Sequence, residues 1–405
     1  MNKVVNPLRR SLLKAGTATM GMSMAGIAWG QGRDALTMGV LSQQTGTYAY
    51  AGQLVLNGAK LAIEERNGEI LGQKINLIVR DDEGKPAVGV RRLSEAIGSD
   101  KLRYFGGNFS SAVGLAEAEV AQREKVIQYA AGGSEDFTGS RCNDYMFQWS
   151  AHGYTALRTT LEYVKQAMPD KKRIYTITAD YAFGHSLLRY AKVAAQELGM
   201  ELVGNDNHPL GERQFTQYLT KALSTRPDII CLLTAGADAV AATRQLFSFG
   251  AKNIQVVGPW SLEVDQLREL SPQMRDGLIL GLNYYQDIDT PVNKAFVERY
   301  MKAHKSVPSY AAAYGYDSFR TMLLAMEQAK STDVEAVRKA MEGMKYDSIF
   351  GPISIDPRTH QTLRPYYVVK CKAQADMKNE NDYATIVAEG SKPQPAELNE
   401  CKRSV

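Results

Sequence analysis

Short apolar or β-branched runs alternate with longer helical patterns along most of the chain, and this alternation narrows the fold more than any other feature. The runs Leu36–Ser42, Ile75–Arg80, Val126–Tyr129, Ile174–Thr178, Leu202–Asn205, Ile229–Leu233 and Gln255–Gly258 have the length and composition of strands. Between them, Val55–Arg66, Val88–Ile97, Ala112–Gln122, Tyr154–Met168, Ser186–Leu198, Phe215–Leu223 and Ala239–Phe249 place apolar residues at i, i+3, i+4 spacing. Strands that are apolar throughout are buried on both faces, so the expected class is α/β, with doubly wound parallel sheets between helical layers. A chain of 405 residues suggests two domains. No Pro/Gly/Ser-rich linker separates them, so the chain is expected to cross between them several times.

The N-terminus reads as an address. Leu8-Arg9-Arg10-Ser11-Leu12-Leu13-Lys14 precedes a weakly apolar stretch, Ala15–Ala28, and then Ala28 and Gly30 stand at the −3 and −1 positions of a cut near Gly30. The pattern resembles a twin-arginine export leader, with Leu12 where Phe is usual; a Sec leader is the alternative. The apolar stretch is too short and Gly-rich to span a bilayer. No cysteine near the cut could take a lipid, so no membrane anchor is expected. The chain carries 48 Lys+Arg against 44 Asp+Glu, and residues 1–30 hold four of the bases and none of the acids. The remainder is balanced, which leaves no basic surplus for nucleic acid or a lipid surface.

Four cysteines, Cys142, Cys231, Cys371 and Cys401, are far apart in sequence. Export permits a disulfide. Cys231 lies inside an apolar run and reads as a buried thiol. Of the rest, Cys371–Cys401 closes the shortest loop and is the favoured pair, with Cys142–Cys401 the alternative.

Ligands of doubly wound sheets sit beyond the C-terminal strand ends. The loops there are Gln43–Gly52, with Tyr48 and Tyr50; Gly106–Ser111, with Asn108, Phe109, Ser110 and Ser111; and Ala130–Ser134, with Ala131 and Gly132. Small, hydroxyl-bearing loops free backbone N–H groups at a helix start, a seat for a carboxylate. Taken singly, each is ordinary N-capping; three at one sheet edge shift the balance toward an anion site. The five histidines are isolated, and the chain has no nucleophile elbow, Walker loop or dinucleotide fingerprint after a strand. Asp81-Asp82-Glu83 reads as a solvated loop. Binding without turnover is therefore expected, with no metal and no cofactor.

These loops, in this order, resemble the type I periplasmic solute-binding proteins of ABC transporters, in the leucine/isoleucine/valine-binding group. Further matches are Asp81-Asp82 with Lys85-Pro86, Asp180–Gly184, Val257-Gly258-Pro259, Tyr314-Gly315-Tyr316-Asp317 and Phe350–Asp356. The resemblance implies two lobes closing on a small ligand about a three-crossing hinge, near Trp149–Ser150, Gly281–Asn283 and Phe350–Gly351. On that basis residues 31–149 with 284–350 form one lobe and 150–283 with 351–371 the other, and 372–405 is a tail packed near the hinge. Carried across by position, the carboxylate-binding role falls on Ser110 and on Ala130, Ala131 and Gly132. The apolar wall falls on Tyr48, Tyr50, Phe183 and Trp260, with Asp180 and Tyr181 on the closing lobe.

Trp260 marks the sharpest departure. After this Gly-Pro the leucine-type binders have a glutamate that pairs with the ligand's ammonium, and tryptophan cannot replace that charge. An apolar or aromatic organic acid is therefore expected in preference to an amino acid, with Asp238 the one nearby acid that could restore amino-acid binding. The expected protein is a monomeric periplasmic receptor that hands its solute to membrane permease subunits. A branched-chain or other amino acid is the alternative ligand; a secreted hydrolase and a sensor module are the alternatives of other classes.

Overall fold

The computed structural model of the chain describes residues 34–45, 49–250 and 253–404. The expectations for the export leader, for Tyr48 and for the Tyr50 side chain fall outside them. The first half builds one sheet from β1 (Leu36–Leu41), α1 (Ala49–Glu64), β2 (Glu69–Ile70), β3 (Gln73–Arg80), α2 (Pro86–Asp100), β4 (Tyr104–Gly106), α3 (Ser111–Glu124), β5 (Ile127–Ala130) and β6 (Met146–Gln148). Its order is β2-β3-β1-β4-β5-β6, parallel except for the β2–β3 hairpin. Every residue of β1 is buried, as its mostly apolar sequence requires. The sheet grows in opposite directions from β1, toward β3 and toward β4, which opens a crevice at the carboxyl ends of these strands.

The chain then forms α4 (Gly153–Ala167), β7 (Arg173–Ala179), α5 (Ala182–Leu198), β8 (Glu201–His208), α6 (Thr216–Ser224), β9 (Ile229–Leu233), α7 (Gly236–Ser248), β10 (Gln255–Pro259), α8 (Val264–Glu269), α9 (Pro272–Arg275) and β11 (Ile279–Leu282). These strands make a second sheet that branches at β7, with β8 on one side and β9 on the other. Next, α10 (Pro291–His304), α11 (Tyr310–Ala329) and α12 (Val334–Met341) return to the first core, where Phe296, Tyr314, Phe319 and Val337 join Met38 and Val55. Each such fully buried large side chain stabilises the fold by about 1.5–3 kcal/mol. Helices α1 and α11 touch backbone to backbone: a Cβ on Gly58 would lie 2.0 Å from the Ala312 carbonyl oxygen, and one on Gly315 would lie 2.1 Å from that of Val55.

The chain ends with β12 (Lys345–Ser348), β13 (Gly351–Ile355), β14 (Thr362–Leu363), β15 (Tyr366–Cys371) and β16 (Ala384–Gly390). The first three form a small antiparallel sheet, and β15 and β16 add antiparallel strands to the β11 edge of the second sheet. This corrects the expected third crossing at Phe350–Gly351. Ile353 and Ile355 of β13 pack into the first core, and the chain rejoins the second sheet only at β15. The segment expected as an irregular tail contributes β16. Beyond it the chain runs back to the first lobe, where Cys401 is bonded to Cys142. The favoured Cys371–Cys401 pairing is thus overturned: Cys371 is a buried free thiol at the end of β15, and Cys231 is the other. Asp82, read as solvated loop, is buried. Burial, and less so the charge of Asp81, push its carboxyl up to about 6 against the N–H of Gly84. No helix among the described residues is long and apolar enough to cross a membrane.

Candidate functional site

The loops at the carboxyl ends of the two sheets meet in one small pocket. On the first side, two tyrosines of α11 fix the loops after β4 and β5. Tyr314 donates its hydroxyl to the Tyr129 carbonyl and accepts the Gly107 N–H at 2.7 Å. Tyr310 donates to the Ala131 carbonyl at 3.0 Å and meets the Ser150 hydroxyl at 2.7 Å. Phe109 stands edge-on to both rings, with centroids 5.4 and 5.7 Å away. Such contacts hold a side chain in one orientation and contribute about 0.5–1.5 kcal/mol each beyond burial.

On the second side, β9 leads into Ala235 and Gly236, where φ of +62° at Gly236 turns the chain into α7. Strand β10 leads directly into Trp260, whose N–H donates to the Gly281 carbonyl at 2.7 Å. Its φ is +61°. The left-handed region is unfavourable for so bulky a residue, costing about 1–3 kcal/mol, and such strain concentrates at ligand sites. The Trp260 ring lies edge to face with Phe183 at 5.6 Å.

The two sides are in contact. A Cβ on Gly133 would lie 2.7–2.8 Å from ring atoms of Trp260 and Phe183, so the absence of a side chain there permits the approach. Nearby, the Glu135 N–H donates to the Ser186 hydroxyl at 3.0 Å, and Arg189 reaches the Glu135 carboxylate at 3.1 Å. The enclosed space is about 30 Å³, bounded among others by Phe109, Phe183, Trp260, Ser261, Glu263 and Tyr310. A small organic acid or amino acid exceeds this volume, so occupation requires the lobes to part, as in hinge-bending receptors.

Glu263 is the unexpected member. It forms a capping box at the start of α8, its N–H donating to the Gln266 side chain at 3.1 Å and its carboxyl facing the Gln266 backbone N–H, while no side-chain donor reaches its carboxylate oxygens. Burial drives its pKa well up, the charge of Asp265 adds to this, and the positive charge of Arg364 offsets part of it. The Ser261 hydroxyl on the same wall also lacks a protein partner. A buried carboxyl in this state either stays protonated or waits for a cation.

Of the expected residues, Phe109, Ala131, Phe183 and Trp260 line the pocket. Tyr181 caps α5 and stacks at a tilt on Phe183 without lining it. Ser110 is the N-cap residue of α3, and Ser111 accepts the Ser134 N–H at 3.1 Å. Asn108 is turned inward to Glu117 and Gln128, Ala130 is within β5, and the Gly132 carbonyl accepts from Gln148. Asp180 is exposed and paired with His185 at 2.8 Å. Asp238 is fully buried on α7, accepting the Gly211 N–H at 2.8 Å with Arg213 at 3.5 Å, and is not part of the pocket wall. Gly133, within the loop expected to take the carboxylate, also lines the pocket; the residues missed were Ala235, Gly236, Ser261, Glu263 and Tyr310. The loop ends at Gly236 and Ser261 carried a usable signal; Tyr310 did not, because it comes from a helix distant in sequence. Among the described residues no three His, Cys, Asp or Glu side chains are grouped to hold a metal ion.

A profile of the periplasmic binding proteins matches residues 35–376. The Leu/Ile/Val-binding protein homolog 4 of Brucella abortus is 24% identical over 386 residues, covering 90% of this chain and 91% of that one. An amino acid ABC transporter substrate-binding protein from Pseudomonas fluorescens Pf-5 superposes with a TM-score of 0.87 and 34% identity, covering 91% of this chain and 98% of that one. A solute-binding protein of an ABC transporter from Rhodopseudomonas palustris BisB5, in complex with 3,4-dihydroxybenzoic acid, has a TM-score of 0.80 and 26% identity, covering 90% and 99%.

Proposed function

The chain belongs to the periplasmic binding protein family, as a solute-binding protein of an ABC transporter, and we propose that its solute is an amino acid with an apolar or aromatic side chain. One observation carries this reading: the Glu263 carboxyl is buried in the pocket wall and no cationic side chain is hydrogen-bonded to it. Expecting an acid without an amino group rested on Trp260 standing where the glutamate is usual. Three residues further on, Glu263 returns a carboxyl to the same strand end. A ligand ammonium would neutralise it, while Phe109, Phe183 and Trp260 would enclose the side chain. The ligand carboxylate would turn to the loops at Ser110 and Ala131, near the start of α3. The similarity to the Pseudomonas protein, described as an amino-acid receptor, supports the same class.

The aromatic walls favour a second reading, a hydroxylated benzoate. In that case Glu263, kept protonated by burial, would share a hydrogen bond with a ring hydroxyl; the Rhodopseudomonas protein binds such an acid. In either case the lobes close over the solute, and the closed form is what the permease recognises. We assign residues 1–30 to export and expect a monomer.

A thermal-shift panel of leucine, phenylalanine, benzoate and 3,4-dihydroxybenzoate tests the choice, because bound solute raises the melting temperature by mass action. The amino acids should stabilise the wild type, and Glu263→Gln should abolish their effect. Stabilisation by benzoate equal to that by phenylalanine would contradict a role for Glu263.

A further inference from the structure

The chain leaves the second sheet at Gly390, the end of β16, and is bonded to the first lobe at Cys401. The segment between them touches both lobes. Its early part lies on the second lobe. There the Thr155 hydroxyl of α4 donates to the Lys392 carbonyl at 2.8 Å, and Gln394 Nε2 donates to the Tyr190 hydroxyl of α5 at 2.7 Å. Its later part lies on the first lobe, where Asn399 Nδ2 donates to the Thr138 carbonyl at 3.2 Å and Cys401 is joined to Cys142.

Arg189 of α5 places this crossing at the rim of the cleft. It donates through Nη1 to Glu135 of the first lobe at 3.1 Å and through Nη2 to Glu400 of the segment at 2.9 Å. Glu135 also donates its N–H to Ser186 of the same helix. The crossing therefore runs beside a point where the lobes already meet.

The segment has little slack. Pro393 and Pro395 each fix a φ angle, and a 3₁₀ turn, Ala396–Leu398, follows. Gln394 and Asn399 close over that turn: Gln394 Nε2 also donates to the Leu398 carbonyl at 2.8 Å, and Asn399 Nδ2 donates to Gln394 Oε1 at 3.0 Å. The residue that grips the second lobe is thus hydrogen-bonded to the one that grips the first. Parting the lobes has to open the turn or break one of these anchors. Each anchor is a modest contact alone. The disulfide keeps the segment on the first lobe, so the contacts to α4 and α5 re-form intramolecularly, at an effective concentration far above that of a free peptide.

We propose that residues 391–401 are a strap, fastened to the first lobe by the Cys142–Cys401 disulfide, that restrains separation of the lobes. Solute enters and leaves only when the lobes part. The strap therefore slows solute exchange, whichever solute is bound.

The test is small-angle X-ray scattering of the full exported chain without solute, with far-ultraviolet circular dichroism as the control for folding. Replacing both cysteines, Cys142→Ser with Cys401→Ser, should enlarge the radius of gyration while the dichroism stays at the wild-type level. Gln394→Ala keeps the disulfide but loses the bonds to Tyr190 and Asn399, and it should shift the radius in the same direction; if the serine variant does not fold, it decides alone. Stopped-flow dissociation of phenylalanine or 3,4-dihydroxybenzoate, followed by tryptophan fluorescence, should be about fivefold faster in the variants. Scattering needs no solute, so its result stands even if neither compound binds. A wild-type radius in the deciding variant, a larger radius accompanied by loss of dichroism, or an unchanged dissociation rate would each overturn the proposal.

Discussion

Single residues decide whether the two walls of the pocket can meet. Gly133 faces Trp260 and Phe183 with no room for a methyl group. Gly133→Ala should therefore weaken solute binding about tenfold or more, with little change in the melting temperature of the unliganded protein; calorimetric titration beside a melt checks both. Trp260 could be placed from sequence because Gly258-Pro259 marks a strand end, and residues just past a strand end face the crevice. Glu263 was not legible in the same way. Its position in the pocket depends on how the chain turns between β10 and α8, and that turn uses the left-handed conformation of Trp260, which sequence periodicity does not report. Asp238 misled for the opposite reason: an acid in the first turn of a helix beside a strand end looks available, yet the Gly211 loop claims it.

At the scale of elements, what could be read from sequence depended on burial. β1 and β9 are buried at every residue, and their mostly apolar runs announced them. β16 is an edge strand with mixed exposure, so Ala384–Gly390 reads as polar and irregular although it is hydrogen-bonded along β15. The disulfide escaped for a topological reason. Loop length favours Cys371–Cys401, but β15 buries Cys371 inside the second lobe while the last residues return to Cys142. Cys142→Ser should destabilise the protein by about 2–5 kcal/mol, the usual consequence of losing a native disulfide. Denaturant unfolding measures this, and reduction of the wild type should reproduce it. A variant as stable as the wild type would mean that polar contacts alone, such as the 2.8 Å pair of Arg403 and Asp144, hold the C-terminal segment.

Across the whole molecule, the C-terminal segment makes a further bridge between lobes, and its polar anchors carry an acid dependence. Glu342 accepts from Arg338 at 2.6 Å and from Arg403 at 2.7 Å, and lies 3.1 Å from His360 Nε2. Burial alone would raise its pKa, but these neighbours together bring it down from 4.5 to about 2. A folded-state pKa below the unfolded one gives stability that is present above pH 4.5 and is lost as the pH falls toward 2. Melting curves over that range should show Glu342→Gln losing less stability with acid than the wild type does. Identical acid profiles would show that other carboxylates dominate.

The central claim is that the buried carboxyl of Glu263 receives the amino group of the solute. Titration calorimetry with matched pairs tests it most directly: leucine against 4-methylpentanoate, and phenylalanine against 3-phenylpropanoate, which differ only in the ammonium. Leaving a buried charge without its partner costs about 2–5 kcal/mol. The amino acid of the better-bound pair should therefore bind on the order of a hundredfold more tightly than its deaminated counterpart, and Glu263→Gln should erase that difference. Equal or tighter binding of the deaminated acids by the wild-type protein would contradict the account.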